Sequence, residues 1–199
     1  MNKKEEIIYA TLELAAEYGL KSLSMSQIAE KVGIKKPSLY NHFESKEILI
    51  KEMYQFIREK SKEGIPLENI DYSTYLEKYN AKEILTQSVL SYKKMVTDEK
   101  MYNFYKVIYS ERTINSDAAE ILVEETKKMI TATKNLFYVL QKNNKINIDN
   151  IDVAAMSFAM TIHSLIDYEL DCKKTNEKFD EKMIQNYIEW FCSQYSEEE

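Results

Sequence analysis

Residues that interrupt helices are scarce in this chain. Three glycines and two prolines occur in 199 residues, whereas sheets with many tight turns require more of both. Apolar residues recur at three- and four-residue spacing through most of the sequence, and no strand-type alternation competes with them. We therefore expect an all-α fold of helices that end at the few glycines and prolines.

The composition indicates a globular cytoplasmic protein. Apolar residues make up 44% of the chain and charged residues 30%, which is typical of a folded domain. No run of about 18 apolar residues is present to span a membrane, and the N-terminus does not read as a signal peptide. Cys172 and Cys192 are far apart and without metal-ligand spacing, so buried thiols are expected. We predict no metal site and no cofactor.

The helical pattern divides the chain into two predicted domains, residues 1–63 and 64–199. Gly64 and Pro66 form the only close Gly/Pro pair and mark the boundary. The less regular residues after them include Tyr72, Tyr75 and Tyr79. Helices are predicted over 4–18, 24–32, 37–43, 46–63, 81–97, 99–110, 117–143, 150–172 and 178–195.

Capping signals define the short helices of the first domain. Ser24, followed by Gln27 three residues later, predicts a capping box, and Gly33 is expected to end that helix. Pro37 is expected at the first position of the next helix, where proline is favourable. Ser45 is expected to cap the fourth. Two short helices joined by a tight turn, with one helix before and one after, predict a helix-turn-helix head.

The chemistry of this head suits DNA although the chain carries a net charge of −6. Residues 1–60 hold ten Lys/Arg and nine Asp/Glu, a local charge of +1. The second helix of such a pair enters the major groove with its N-terminal residues toward the bases, and Lys35, Lys36 and Ser38 lie at that end. The only arginines are Arg58 and Arg112; neither lies in this helix, so Lys36 is the best candidate for a guanine contact.

The segment from Ile7 to Leu49 resembles the DNA-binding domain of TetR-type (tetracycline-repressor-like) transcriptional regulators. The resemblance rests on AAEYG (15–19), IAEKVG (28–33), KPSLYNHF (36–43), SKE (45–47) and Leu49. One departure is Leu23, where the family often has threonine, but Ser24 can still cap. The resemblance covers about a quarter of the chain. It implies a homodimer that binds a pseudo-palindromic operator, usually as a repressor, and a helical C-terminal domain for dimerisation and effector binding.

Carried over residue by residue, the resemblance assigns two kinds of DNA contact. Base contacts fall on Lys36, Pro37 and Ser38, with Asn41 as a further candidate. Phosphate contacts fall on Ser26, Tyr40, His42 and Lys46.

The second domain contains two groups of candidate binding residues. One group combines a tyrosine face with apolar side chains and a histidine, and it suits an apolar or aromatic small-molecule effector. The alternative is that these residues belong to an ordinary core, which is the commoner outcome for any single residue. It comprises Tyr102, Tyr105, Tyr109, Met129, Phe137, Met156, Met160 and His163.

The other group lies on the last two apolar helices, and we expect it to form a four-helix dimer interface. An intrachain core is the alternative. It comprises Phe158, Leu165, Tyr187, Trp190 and Phe191.

Function therefore has one main hypothesis and several alternatives. The main hypothesis is a ligand-responsive repressor that binds a double-stranded operator as a homodimer. An activator or an effector-independent repressor of the same fold remains open. A helical protein-interaction module or a small cytosolic enzyme would be a different class, but no phosphate loop, paired metal ligands or nucleophile motif supports an enzyme.

Overall fold

A computed structural model describes residues 2–63 and 76–195, and the regular structure in these residues is helical. This confirms the all-α prediction. A single 3-10 turn, Leu20–Ser22, lies between the first two helices. The helices are α1 (Lys3–Tyr18), α2 (Met25–Val32), α3 (Lys36–Tyr40), α4 (Lys46–Glu63), α5 (Ala81–Val96), α6 (Glu99–Glu111), α7 (Ser116–Lys142), α8 (Ile151–Thr175) and α9 (Met183–Tyr195).

In three helices an end differs from the predicted one by three residues or more. α3 ends at Tyr40 and begins at Lys36, so Pro37 is its second residue. α8 continues to Thr175, where Asn176 adopts a left-handed conformation with φ 58°. α9 begins at Met183, because the carbonyl and side chain of Asp180 accept hydrogen bonds in a turn just before it. Local turn chemistry of this kind shifts helix ends without changing which helices form.

The chain forms two compact units. One comprises Met1–Pro66 with Met95–Glu124, and the other Leu67–Lys94 with Glu125–Glu199. The division at residues 63/64 stays a prediction, since its marker residues Gly64 and Pro66 lie outside the described residues, as do Tyr72 and Tyr75.

The first unit is organised around α1. This helix contacts α2, α4 and α6, and its buried face includes Ile7, Leu12 and Ala15. Asn2 and Glu5 form a capping box that starts the helix, with the Glu5 N–H 2.9 Å from Asn2 Oδ1. The largest fully buried side chains in this unit are Ile7, Leu12, Ile28, Leu39, Phe43, Leu49, Met53, Phe104 and Ile108.

The second unit has an aromatic core. The ring of Phe137 on α7 lies 5.5 Å from that of Phe158 on α8 and 5.3 Å from that of Phe191 on α9, and all three side chains are buried. Aromatic pairs at these separations add stabilisation beyond the apolar area they bury. These rings therefore join α7, α8 and α9. Cys172 and Cys192 are both buried, free thiols, as expected.

Candidate nucleic-acid interface

α2 begins at the capping box predicted from the sequence. The Gln27 N–H donates to Ser24 Oγ at 3.3 Å, and the Ser24 N–H donates to Gln27 Oε1 at 2.9 Å. Two backbone donors at the start of the helix thus receive side-chain acceptors. Met25, Ile28 and Ala29 point into the core, which fixes the rotation of α2.

The turn between α2 and α3 depends on Gly33. Its φ of 70° and ψ of 31° are left-handed, a conformation that residues with a Cβ rarely adopt. The Gly33 N–H donates to Glu30 O at 3.0 Å and the Ile34 N–H donates to Ala29 O at 2.9 Å. These bonds reverse the chain and direct Lys35, the N-cap of α3, to the start of the next helix.

α3 is short and is held by apolar anchors on one side. Leu39 is completely buried and Phe43, just beyond the helix, is 1% exposed. The backbone N–H of Phe43 still donates to Leu39 O at 3.0 Å. A five-residue helix has little stability of its own, so burial of these two side chains fixes which face of α3 looks outward.

The outward face carries most of the predicted DNA contacts. His42 and Lys46 are partly buried, and the Lys46 ammonium lies 3.4 Å from the carbonyl oxygen of Lys21. Within the described residues, no carboxylate lies within 4 Å of the Lys35 or Lys36 ammonium. The exposed members of the predicted set are Ser26, Lys35, Lys36, Pro37, Ser38, Tyr40 and Asn41.

Two backbone donors at the start of α4 are bonded to acceptors within the protein. The Ile48 N–H donates to Ser45 Oγ at 3.2 Å, which confirms Ser45 as the cap. The pKa of the Glu47 carboxyl is lowered by a hydrogen bond from its own backbone N–H and then by one from Ser45. Donors at this helix end therefore already have acceptors within the protein.

The predicted effector residues fall in both units. Tyr102, Tyr105 and Tyr109 belong to the first and are half-buried. Basic groups lie over two of their rings: the Lys106 ammonium is 4.9 Å from the Tyr102 ring centre and the Arg112 guanidinium 5.1 Å from that of Tyr109.

Of the predicted effector residues in the second unit, Met129 and His163 are brought together, through Tyr92. The Tyr92 hydroxyl lies 2.8 Å from His163 Nδ1 and 3.3 Å from Met129 Sδ. His163 Nε2 is 3.6 Å from a carboxylate oxygen of Asp167. Sequence analysis missed Tyr92, because its only local signal is an unremarkable tyrosine on a helix, and contact with a residue 71 positions later has no sequence signature.

The remaining predicted effector residues lie elsewhere in the second unit. Phe137 is completely buried in the aromatic core, whereas Met156 and Met160 are 48% and 42% exposed on α8. Their role in an effector pocket stays a prediction.

The predicted dimer residues differ in exposure. Phe158 and Phe191 are buried, Leu165 and Tyr187 are half-buried, and Trp190 is 57% exposed. An open cleft of about 420 Å³ lies between α9 and the start of α8. Its lining includes Asn147, Val153, Ser157, Tyr187, Trp190 and Tyr195.

The described part of the chain contains neither a metal-binding cluster nor a membrane-spanning helix. No group of three or more His, Cys, Asp or Glu side chains there could hold a metal ion. None of the helices among those residues is long and apolar enough to cross a membrane.

Two family descriptions match most of the sequence. Residues 7–53 match "Bacterial regulatory proteins, tetR family". Residues 83–197, more than half of the chain, match "AefR-like transcriptional repressor, C-terminal domain".

Curated relatives are similar in part of the chain. The class G tetracycline repressor protein of Vibrio anguillarum is 36% identical over 91 residues, 45% of this chain and 42% of that protein. The class C tetracycline repressor protein of Escherichia coli is 38% identical over 52 residues, 25% of this chain and 24% of that protein. The aligned regions thus span less than half of each relative.

Solved structures share the fold along almost the whole chain. A protein described as a TetR-family transcriptional regulator from Mesorhizobium loti superposes with a TM-score of 0.71 at 21% identity, over 98% of this chain and 97% of that one. The flavonoid-responsive regulator FrrA gives a TM-score of 0.62 at 22% identity, with the same coverage. At these identities the likeness concerns the fold alone.

Proposed function

Since the chain belongs to the TetR family of bacterial regulatory proteins, with an AefR-like C-terminal domain, we propose that it is a DNA-binding transcriptional repressor. It acts in the cytoplasm as a homodimer on a palindromic operator and is released by a small-molecule effector. The family is one of regulators and not of enzymes, in agreement with the expectation that this chain has no catalytic activity. An activator of the same fold would use the same head.

The observation that carries the proposal is the orientation of α3. Leu39 and Phe43 bury one side of this short element, and the exposed run Lys35–Ser38 stands at its N-terminal end. That is the end a recognition helix directs at base edges. Lys36 is the base-reading candidate, while Ser26, Tyr40 and His42 carry groups that can donate to phosphate oxygens.

The dimer is proposed to form through the outward face of α8 and α9. Val153, Met156 and Met160 recur along α8 at three- and four-residue spacing with at least 42% of each side chain exposed, and Trp190 is exposed on α9. A row of large apolar side chains in water favours association. In this arrangement Phe158 and Phe191 pack in the core behind the interface. The cleft beside Trp190 receives side chains of the second copy.

The effector is proposed to bind in the second unit near Tyr92, Met129 and His163. Three helices contribute one side chain each, and together they offer two aromatic rings, a thioether and a hydroxyl–imidazole pair. Such a set suits an apolar or aromatic molecule with a polar group that can exchange hydrogen bonds with Tyr92 or His163. The effector can shift DNA binding only by its difference in affinity between two states of the protein.

Footprinting on the DNA that flanks its own gene tests this function. The wild-type protein is expected to protect a two-fold symmetric site, and Lys36→Ala to lose protection while remaining folded. Lys31→Ala, a charge change on α2 at a lysine that pairs with Glu13 at 3.1 Å, is the matched control. Absence of a protected site, or equal loss for both variants, would favour a helical interaction module.

A further inference from the structure

Lys4 joins the start of α1 to two other segments of the first unit. Its ammonium lies 5.2 Å from the centre of the Phe43 ring, just after α3. It also lies 3.3 Å from a carboxylate oxygen of Glu52 on α4. The Lys4 side chain is 51% exposed and that of Glu52 is 39% exposed. This ion pair therefore lies at the surface of the head and can be opened without unpacking the core.

The stability of α1 does not explain a lysine at this position. Lys4 is the second residue of the helix, where the positive end of the helix dipole disfavours a cation and favours a carboxylate. Glu5 and Glu6 follow that preference in the same turn, and Lys3 pairs with Glu6 within the helix. The pair between Lys4 and Glu52 adds little to folding, because exposed ion pairs contribute weakly. A local rule broken without a gain in stability points to a functional role.

The contact with Phe43 places the Lys4 ammonium beside the proposed DNA-facing segment. Phe43 directly follows His42 and lies three residues before Lys46, and both of these residues are predicted phosphate contacts. Burial fixes the Phe43 ring, which is 1% exposed, and a cation near an aromatic ring is attracted to it. A DNA strand that contacts His42 and Lys46 therefore passes near Lys4.

We propose that Lys4 is a further phosphate contact of the head and that Glu52 competes with the phosphate for its ammonium. In the free protein Lys4 pairs with Glu52. On DNA the long, half-exposed lysine side chain turns to a phosphate oxygen, and the Glu52 carboxylate is left to water. One exposed ion pair is thus exchanged for another, and Lys4 reads no base in this role. The inference rests on the proposed function, because it adds a contact to the same DNA-binding head.

Lys4→Gln tests the phosphate contact. The variant is expected to weaken binding to the footprinted operator and to a scrambled duplex of the same length by the same factor, since phosphates are common to all sequences. The slope of log K against log salt should become shallower by about 0.9 for each bound head, or about 1.8 for a dimer. A slope equal to that of the wild type would overturn the contact.

A second ion pair of the head supplies the control for this measurement. Lys31 and Glu13 join α2 to α1 at 3.1 Å, with side chains that are 45% and 48% exposed. Lys31→Gln therefore makes the same charge change in a pair of similar distance and exposure. It is expected to leave the salt slope at its wild-type value.

Glu52→Gln tests the competition. Without the carboxylate Lys4 is free to pair with phosphate, so binding is expected to tighten by about two- to fivefold for each head, the range for an exposed ion pair. Glu13→Gln is the control. If Glu52 acts through Lys4, Glu52→Gln has no further effect in a Lys4→Gln protein. The same gain in both backgrounds would mean direct repulsion of DNA by Glu52 and would contradict the competition.

A purely structural role of the pair predicts another pattern. The unfolding midpoint would then fall in Lys4→Gln and in Glu52→Gln while both variants keep the wild-type salt slope, and this result would overturn the inference. Failure of the inference also differs from failure of the proposed function. Protection of a symmetric operator tests the function, whereas the scrambled duplex at low salt tests Lys4 even without an operator. A wild-type protein that binds neither duplex would contradict both.

Discussion

The Tyr92 hydroxyl lies 2.8 Å from Nδ1 of His163 and joins α5 to α8 inside the second unit. When the hydroxyl donates to Nδ1, the imidazole proton is on Nε2, which faces Asp167 at 3.6 Å. An ion pair also connects these two helices: the ammonium of Lys93, the next residue, lies 2.5 Å from a carboxylate oxygen of the buried Glu169. The pKa of Glu169 is lowered because hydrogen bonds from Lys173 and Lys93 outweigh its burial, the largest single influence.

Tyr92→Phe is expected to destabilise the protein by about 1 kcal/mol, the usual net value of a hydrogen bond whose partner stays half-buried. Urea unfolding measures the change. Tyr138→Phe, at a 49% exposed tyrosine, is the control and should remain within about 0.5 kcal/mol of the wild type. Equal midpoints of urea unfolding for Tyr92→Phe and Tyr138→Phe would argue against the hydrogen bond between Tyr92 and His163.

Gly33→Ala is expected to cost about 1 kcal/mol and to weaken operator binding, because it strains the left-handed residue that aims α3. A Cβ at Gly33 would meet nothing within 4 Å, so the cost comes from the backbone and not from a clash. Gly33→Asn should lose less, since asparagine tolerates this conformation. The unfolding midpoint measures the stability of each variant, and titration with the operator measures its affinity. An alanine variant as stable as the asparagine variant would refute the explanation.

Met160→Glu is expected to shift the proposed dimer toward monomer. It places a charge in the exposed apolar row of α8, where association would have to desolvate it. Sedimentation velocity over a concentration series measures the shift. Leu90→Glu makes the same kind of change at a 53% exposed residue of α5 and should leave the dimer intact. A wild-type protein that stays monomeric throughout would remove the proposed interface altogether.

Cys192 is expected to resist alkylation in the folded protein. Burial raises the pKa of its thiol to about 11, the charge of Glu189 adding to this and that of Lys82 opposing it. Only the thiolate reacts, so iodoacetamide at pH 8 should label this thiol about a hundredfold more slowly than an exposed one. Mass spectrometry of the labelled peptide gives the rate, and labelling at the rate of the urea-unfolded chain would contradict the burial.

The same pKa shift sets the sign of an alkaline effect. Between about pH 9 and 11 the unfolded chain gives up the Cys192 proton while the folded chain keeps it, so stability is full below this window and falls as pH rises through it. Cys192→Ser should lose less stability over that window than the wild type does.

Local signals explain why so much of the head could be predicted. Ser24 and Gln27 are three residues apart, and Gly33 ends α2 by a backbone preference that needs no tertiary context. Leu39 and Phe43 complete the pattern as apolar residues four apart. Each of these features is contained in a few consecutive residues.

Contacts between distant residues could not be predicted in the same way. Tyr92 and His163 are separated by 71 positions, and Arg58 and Glu124 by 66. α8 is apolar on more than one side, so periodicity could not decide which side faces the core. The pattern alone therefore cannot say whether Met156 and Met160, which the structure exposes, line a pocket or an interface. Their exposure depends on how α8 packs against its neighbours.

Titration of the purified protein against the DNA that flanks its gene, in a salt series, decides whether α3 is a recognition helix. Sequence-selective binding by a dimer is expected, with log K falling linearly and steeply against log salt as phosphate counterions are released. Lys36→Ala should lose most of the selectivity. Binding without selectivity down to low salt, by a protein that is folded and dimeric, would contradict the assignment of α3 as a recognition helix.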